Sequence, residues 1–322
     1  MSKYQVIIVG AGMAGLSAAR HLNKANISCL VLDKGRGVGG RMATRRVGDA
    51  TFDHGAQFFS AKTPSFQSFV KEARQMGAVN EWWPGIPDTT HPRWIGASGM
   101  NAVPKFLHEN LTILQGKKVA HIAQAAKGWQ VTTDNNETFE SAALILTIPA
   151  PQAIELLEIS ETGLTSDDWS PLRQIAYHPC LAVLATLDQP SNLPDPGGMQ
   201  MDGSIISWMA DNFKKGISKT PSITLHASPA FSRHHLDGDL NSAGEILLEA
   251  AGTWLQPASI VDWQIHRWRF SLAYERHPSP YWQAGISFPL LFGGDGFGMG
   301  NVEGAFLSGL AMAEQLISLN SF

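Results

Sequence analysis

The stretch that most limits how this chain can fold runs from Tyr4 to Asp33. Val6-Ile7-Ile8-Val9 is a short β-branched run that ends at a glycine, the pattern of a buried parallel strand. Gly10-Ala11-Gly12-Met13-Ala14-Gly15 follows with the spacing G-x-G-x-x-G, and Leu16, Ala19 and Leu22 then lie on one face of a helix. Ser28 to Leu32 reads as a second strand, and Asp33 closes it. In such a unit Gly10 allows the tight strand-to-helix turn, Gly12 lets a pyrophosphate approach the backbone, and Gly15 lets helix pack on strand. The free N–H groups at the helix start, with Ala14 among them, favour negative charge. Asp33 can accept hydrogen bonds from a ribose diol. Strand, glycines, helix, strand and acid in this order point to a bound dinucleotide.

Gly35-Arg36-Gly37-Val38-Gly39-Gly40-Arg41-Met42 continues straight from Asp33. Nicotinamide-binding domains rarely carry such a run. The planar donor forks of Arg36 and Arg41 suit phosphate oxygens, with Lys34 and the Gly40 backbone beside them. The run resembles a segment of flavoproteins related to amine oxidases, where backbone and arginine contact the FAD diphosphate.

Two further stretches extend the likeness. Phe52-Asp53-His54-Gly55-Ala56-Gln57-Phe58-Phe59 is similar to a D-x-G-A-Q segment that passes near the isoalloxazine ring in these flavoproteins. Gly55 and Ala56 permit close backbone approach, and Gln57 is a candidate to hydrogen-bond flavin or substrate. Near the other end, Leu290 to Gly293 reads as a strand delivering Gly294-Asp295, and a helix is expected from near Asn301 to Ile317. Asp295 can bond the ribityl chain or a neighbouring hydroxyl. The helix start at Asn301 and Val302 can face the N1–C2=O edge and stabilise negative charge there.

Between these stretches the pattern predicts a helix over 65–78, an irregular loop over 82–93, and a helix ending near Leu107. Strands follow at 111–114, 117–123, 128–133, 138–139 and 143–147, with a hairpin at Asp134-Asn135-Asn136-Glu137. Leu144 to Thr147 is again a buried parallel strand, and Thr147 and Pro149 end it where a Rossmann-like sheet meets the nucleotide. From 151 to 285 the pattern changes to strands at 180–187, 205–209, 222–227 and 260–270, with a helix at 243–256. That composition suits an antiparallel sheet with a covering helix.

The charge of −4 and pI near 6.2 give no general attraction to nucleic acid or anionic lipid. Only Cys29 and Cys180 are present, which excludes a disulfide framework and a cysteine-rich metal site and suits a reducing cytosol. No uninterrupted apolar run reaches membrane-spanning length, so the expectation is a soluble, cytoplasmic protein without a metal.

Taken together, Gly10/Gly12/Gly15, Gly39-Gly40-Arg41, Asp53–Gln57, Thr147–Pro149 and Gly293–Ala305 make the chain resemble the flavin-containing amine oxidase superfamily. Asp33-Lys34-Gly35-Arg36, Trp94-Ile95-Gly96, Pro149-Ala150-Pro151-Gln152, His266-Arg267-Trp268-Arg269 and Val302-Glu303-Gly304-Ala305 make it most similar to the short bacterial renalase-like proteins. The resemblance implies an α/β fold like p-hydroxybenzoate hydroxylase, with a Rossmann-like FAD domain over 1–60, 95–150 and 286–322. A substrate domain would cover 61–94 and 151–285. It implies non-covalent FAD, with Val119 offering backbone groups to adenine. It also implies oxidation of the 2- or 6-dihydro isomers of NAD(P)H to NAD(P)+, with oxygen reduced to hydrogen peroxide. The candidates around the nicotinamide are Gln57 and Trp268, with His226, His266 and Arg269 for polar or phosphate contacts.

Two features depart from the larger amine oxidase families, which place a lysine near the flavin and frame it with two tyrosines. The lysines after Lys127 are Lys214, Lys215 and Lys219, in a polar stretch without the apolar setting of a buried catalytic lysine. Tyr274 and Tyr281 are the only late tyrosines. An amine or amino-acid oxidase, or a flavoprotein redox sensor without turnover, remains an open alternative.

Overall fold

The strand Tyr4–Val9 lies inside a sheet, hydrogen-bonded in parallel on both sides, and its last four residues are buried. This computed structural model describes residues 4–83 and 91–319. Cys29–Asp33 and then Ile113–Gln115 extend the sheet on one side, and Thr138–Leu146, Leu290–Gly293 and the antiparallel Tyr281–Gln283 on the other. Ile8, Val31 and Ile145 pack with the helices on one face. Ile7, Leu30 and Leu144 pack with Trp129 on the opposite face. Burial on both faces is what a near-continuous apolar strand requires.

Thr138–Leu146 is one nine-residue strand where the sequence suggests two. Its polar first half pairs antiparallel with Gly128–Thr133, and its apolar second half pairs parallel with Tyr4–Val9. Ser141 is the residue where the two pairings meet, opposite both Trp129 and Tyr4. The helices Met13–Lys24 and Asn301–Ser318 pack closely: a Cβ on Gly309 would sit 2.2 Å from Ala14 O, and the Ser17 hydroxyl donates to Phe306 O at 2.8 Å.

The second sheet is antiparallel throughout, in the order Gly198–Gln200, Ile206–Asp211, Ser222–Ala227, Ala176–Leu187, Ile260–Glu275. Leu240–Ala250 covers one face with Ala243 and Leu247, and its Gly244 meets the Trp263 ring, where a Cβ would be 2.1 Å away. The expected single helix over 243–256 is split, with Gly252–Leu255 as a separate turn.

The loop expected over 82–93 is shorter than that range, because Val79–Trp83 and Arg93–Gly96 pair as a ribbon. Residues 84–90 lie outside the described residues. The fold is the expected α/β arrangement of a Rossmann-like sheet and a second, antiparallel sheet. Among the described residues no helix is long and apolar enough to cross a membrane.

Candidate active site

The first half of the site is a glycine cradle at the carboxyl ends of the parallel strands. Gly10 has φ +110°, and a Cβ there would lie 2.7 Å from Thr147 Oγ1. A Cβ on Gly15 would lie 1.9 Å from Gly10 O, so helix and strand touch at backbone distance. Gly12 differs, because a Cβ there would meet nothing within 4 Å. The helix Met13–Lys24 has no side-chain cap and no acid in its first turn, so its N-terminal N–H groups are left for an anionic ligand. Gly39 N donates to Ala11 O at 2.8 Å, and Gly40 stands with its virtual Cβ 3.6 Å from Gly12 Cα. The second glycine run is thereby laid beside the first.

Asp33 accepts from Ala11 N and from Gly35 N, both at 2.6 Å. Its carboxylate thus clasps the two loops, and each oxygen keeps a second lone pair. Lys34 is exposed and reaches Gln152 Oε1 at 3.3 Å. Arg36 is exposed and lines a cavity of about 530 Å3 with Lys105, His108 and Gln115. Arg41 forms a two-pronged ion pair with Asp295, at 2.7 and 2.5 Å, and its guanidinium also donates to Phe270 O and Ser271 O. Burial alone would lower its pKa, but Asp295 raises it above the usual value. Arg41 therefore ties the cradle to the last strand of the second sheet.

The other expected contacts are placed around this cradle. Val119 is buried and opens the strand Val119–Ala125, opposite Thr133. Thr147 N donates to Val9 O, and Pro149 caps the helix Ala150–Glu158. Asn301 is exposed with φ +57° and begins the last helix, Val302 is half-buried, and Glu303 is buried. Glu303 accepts from the main-chain nitrogens of Lys62 and Thr63 and so fixes that helix start against Pro64–Gln75.

The second half of the site is a row across the antiparallel sheet. Trp208, His226, Ala182 and His266 are in register on neighbouring strands, so their side chains share a face. Along Ile260–Glu275 every second residue continues that face as Gln264, His266 and Trp268. Opposite stands the turn Asp53–Gln57, with Gly55 and Ala56 packed on the Arg41 backbone. A Cβ on Gly55 would lie 2.0 Å from Arg41 O, and Ala56 N donates to the same oxygen. His54 O receives two donors, Trp268 Nε1 at 2.8 Å and His226 Nε2 at 3.2 Å. The His226 contact requires the proton on Nε2. The His54 ring stacks on Trp268 with centroids 5.3 Å apart and meets His266 edge-on at 4.7 Å.

All three imidazoles are held neutral. Burial, reinforced by His266, Arg45 and His226, lowers His54 to about 3. Burial lowers His226 to about 4, with Lys215 contributing. Burial and Arg45 lower His266 to about 4. Arg45 is held by Gln264 Oε1 at 2.6 Å. Among the described residues no three His, Cys, Asp or Glu are arranged to hold a metal ion.

Several expectations need correction. Arg269 points away from this face into an exposed ion pair with Asp237, because odd positions of the strand lie on the opposite side of the sheet, with Trp263 against the helix Leu240–Ala250. Trp268 and His226 are present, but their N–H groups serve the turn backbone. Lys215 is not in a polar environment: its side chain and that of Asp53 are both fully buried, with Nζ 2.8 Å from Asp53 Oδ2, 2.6 Å from Gln57 O and 5.2 Å from the centre of the Trp82 ring. Burial lowers its pKa, against the pull of Asp53. Its polar neighbours in sequence hid this, since the residues that enclose it come from distant segments. Tyr274 is half-exposed and stacks on His178, whereas Tyr177 reaches Arg41. Arg45 was not singled out in the sequence. Its only signal there is its place in a strand leading to Asp53.

Comparison with known proteins agrees with this architecture. An NAD(P)-binding Rossmann-like domain matches residues 8–73, and the flavin containing amine oxidoreductase family matches residues 85–317. Mouse renalase is 24% identical over 97% of this chain and 98% of its own length. A putrescine oxidase structure with bound putrescine superposes with TM-score 0.75 at 15% identity, covering 98% of this chain and 99% of that one. A proposed protoporphyrinogen oxidase from Exiguobacterium sp. does so with TM-score 0.75 at 14% identity, covering 99% and 100%. With its glycine cradle facing a row of neutral imidazoles, and a family match over more than two thirds of its length, the chain belongs to the flavin containing amine oxidoreductases and is an FAD-dependent oxidoreductase.

Proposed function

We propose that this protein oxidises a dihydronicotinamide dinucleotide, a 2- or 6-dihydro isomer of NAD(P)H, to NAD(P)+, with oxygen reduced to hydrogen peroxide. The full-length likeness to mouse renalase supports this reading. The observation that carries it is the charge of the site. His226, His266 and Arg45 flank the turn that carries the neutral His54, and the turn's own carboxylate, Asp53, is engaged by Lys215, Thr44 and Met100. Among the described residues such a site offers no unpaired carboxylate to hold an ammonium group and no strong base, its imidazoles being lowered to about 3 and about 4. A dihydropyridine needs neither, because aromatisation drives its oxidation; the protein has to hold it in place.

FAD, when bound, supplies the two-electron acceptor and the route to oxygen. Three observations fit it to this chain. Gly12 leaves an open space before an uncapped helix, Gly40 lies beside it, and Gln57 Oε1 is a buried polar atom without a partner. Gly10, Gly12, Ala14, Gly15, Asp33, Gly40 and Arg41 would hold the diphosphate and ribose, with Val119, Thr147, Pro149, Asp295, Asn301 and Val302 around the rest. Residues 1–60, 95–150 and 286–322 would form the FAD domain, and 61–94 and 151–285 the substrate domain. Binding would be non-covalent: both cysteines are buried, and burial raises their thiols to about 11 and about 12.

In this reading Trp268 and His226 act by fixing the His54 carbonyl, and with it the Asp53–Gln57 turn. Anaerobic mixing of the FAD-loaded protein with single donors tests the proposal. The 2- or 6-dihydro isomers should bleach the flavin, while ordinary NADH, benzylamine, polyamines and common amino acids leave it oxidised. Rapid bleaching by a simple amine, with no response to the isomers, would transfer the assignment to an amine oxidase.

A further inference from the structure

The orientation of the Gln57 amide is fixed by chemistry. One end lies 2.6 Å from Asp53 O and 3.2 Å from Gly55 O, and two carbonyl oxygens accept only from the NH2 end. The other end is therefore the carbonyl, and Gln57 Oε1 is buried with no partner although the residue is only 6% exposed. Buried carbonyl oxygens are seldom left unpaired, so this one calls for an N–H brought by a ligand.

The two ends of the same turn are bridged by one ammonium. Lys215 Nζ donates to Gln57 O at one end of the turn and to the Asp53 carboxylate at the other. The second Asp53 oxygen accepts from Thr44 Oγ1 and Met100 N, both at 2.7 Å. Lys215 itself belongs to the segment between the strands Ile206–Asp211 and Ser222–Ala227. The ammonium thus sets the turn against the antiparallel sheet.

We propose that the buried Lys215–Asp53 pair is a positioning device that holds Gln57 with its side-chain carbonyl as the acceptor for an N–H of a bound ligand. The donor is either the primary carboxamide of a nicotinamide substrate or an imide N–H of the flavin. The first source rests on the function proposed above; the positioning role of Lys215 does not.

The test uses the FAD-loaded protein, Q57M, the double variant D53N/K215M, and the triple variant. The double variant removes both charges together, so no ion is left buried alone. Two affinities are measured: that for FAD, with its visible spectrum, and that for NAD+ against its 3-acetylpyridine analogue, which keeps the carbonyl but has no N–H. If the substrate is the donor, the native protein prefers NAD+ about tenfold and Q57M erases the preference. If the flavin is the donor, Q57M weakens FAD by about tenfold and shifts its visible band. In either case D53N/K215M reproduces the Q57M loss, and the triple variant loses no more than Q57M alone. Unchanged affinities and spectrum in Q57M would overturn the acceptor role, and should the double variant fail to fold, this arm still decides it. Additive losses in the triple variant would overturn the positioning role. Failure of NAD+ to bind the native protein would sink the substrate reading, while the FAD arm would still judge Lys215.

Discussion

Acid should destabilise this protein through its buried histidines. An unfolded histidine has a pKa of 6.5, whereas His226 is held at about 4 in the folded chain. Between these values the unfolded state carries more protons, so stability is complete above pH 6.5 and falls as pH drops toward 4. Integrating over pH 7 to 5, His226 removes about 2 kcal/mol. His54, at about 3, removes a similar amount, and the half-buried His266 is counted at roughly half because solvent screens it. Replacing His226→Gln keeps an N–H donor for His54 O while deleting one titration. Urea unfolding followed by tryptophan fluorescence, at pH 7 and pH 5 with saturating FAD, measures both proteins. The difference between the two pH values should shrink by about 2 kcal/mol in the variant. An identical pH dependence would show that His226 is not held neutral by burial and would refute the reasoning.

Two further outcomes follow from the cradle. Acid precipitation should leave all the yellow colour in the supernatant, since Cys29 and Cys180 are buried thiols; flavin retained on the pellet would contradict non-covalent binding. Asp33→Ala and Arg41→Ala should each weaken FAD by roughly tenfold or more, the effect of losing a charge-assisted hydrogen bond worth about 1.5–3 kcal/mol. Equilibrium dialysis checks this, and unchanged affinity in both variants would remove the diphosphate-and-ribose assignment.

The glycine cradle was legible in the sequence because its constraints are local. Gly15 and Gly55 each meet a backbone oxygen that a side chain would strike, and Gly10 has φ +110° and stands against the Thr147 hydroxyl. The antiparallel sheet was legible as a set of strands but not as a surface. His226 and His266 become neighbours only because both are in register with Ala182 on the strand between them, and register is decided by pairing across long separations. The same limit explains Arg269, whose two-residue alternation with Gln264, His266 and Trp268 could not be phased without knowing which face meets the turn. The burial of Lys215 is hidden in the sequence for a further reason. Its burial is supplied by Trp82 and Asp53, more than a hundred residues away, and local polarity carries no trace of them.

The burial of Lys215 with Asp53 also bears on why the two sheets keep a fixed relation. An ion pair moved out of water recovers little net stability, and an apolar pair of equal volume would often serve as well. Apolar side chains, however, cannot set the direction of a carbonyl. Here one ammonium fixes Gln57 O, and one carboxylate fixes Thr44 Oγ1 and Met100 N, so four separate segments share a single junction. The antiparallel sheet adds its own hold on the same turn through Thr224 Oγ1 to Asp53 O and through His226 and Trp268 to His54 O. Sliding one sheet past the other far enough to break the Lys215–Asp53 contact would leave a buried charge unpaired. The cost of that state, about 3–5 kcal/mol, confines the turn to one register between cradle and imidazole row. The oxidation proposed above needs no base and depends on placement, which a turn held in this way supplies.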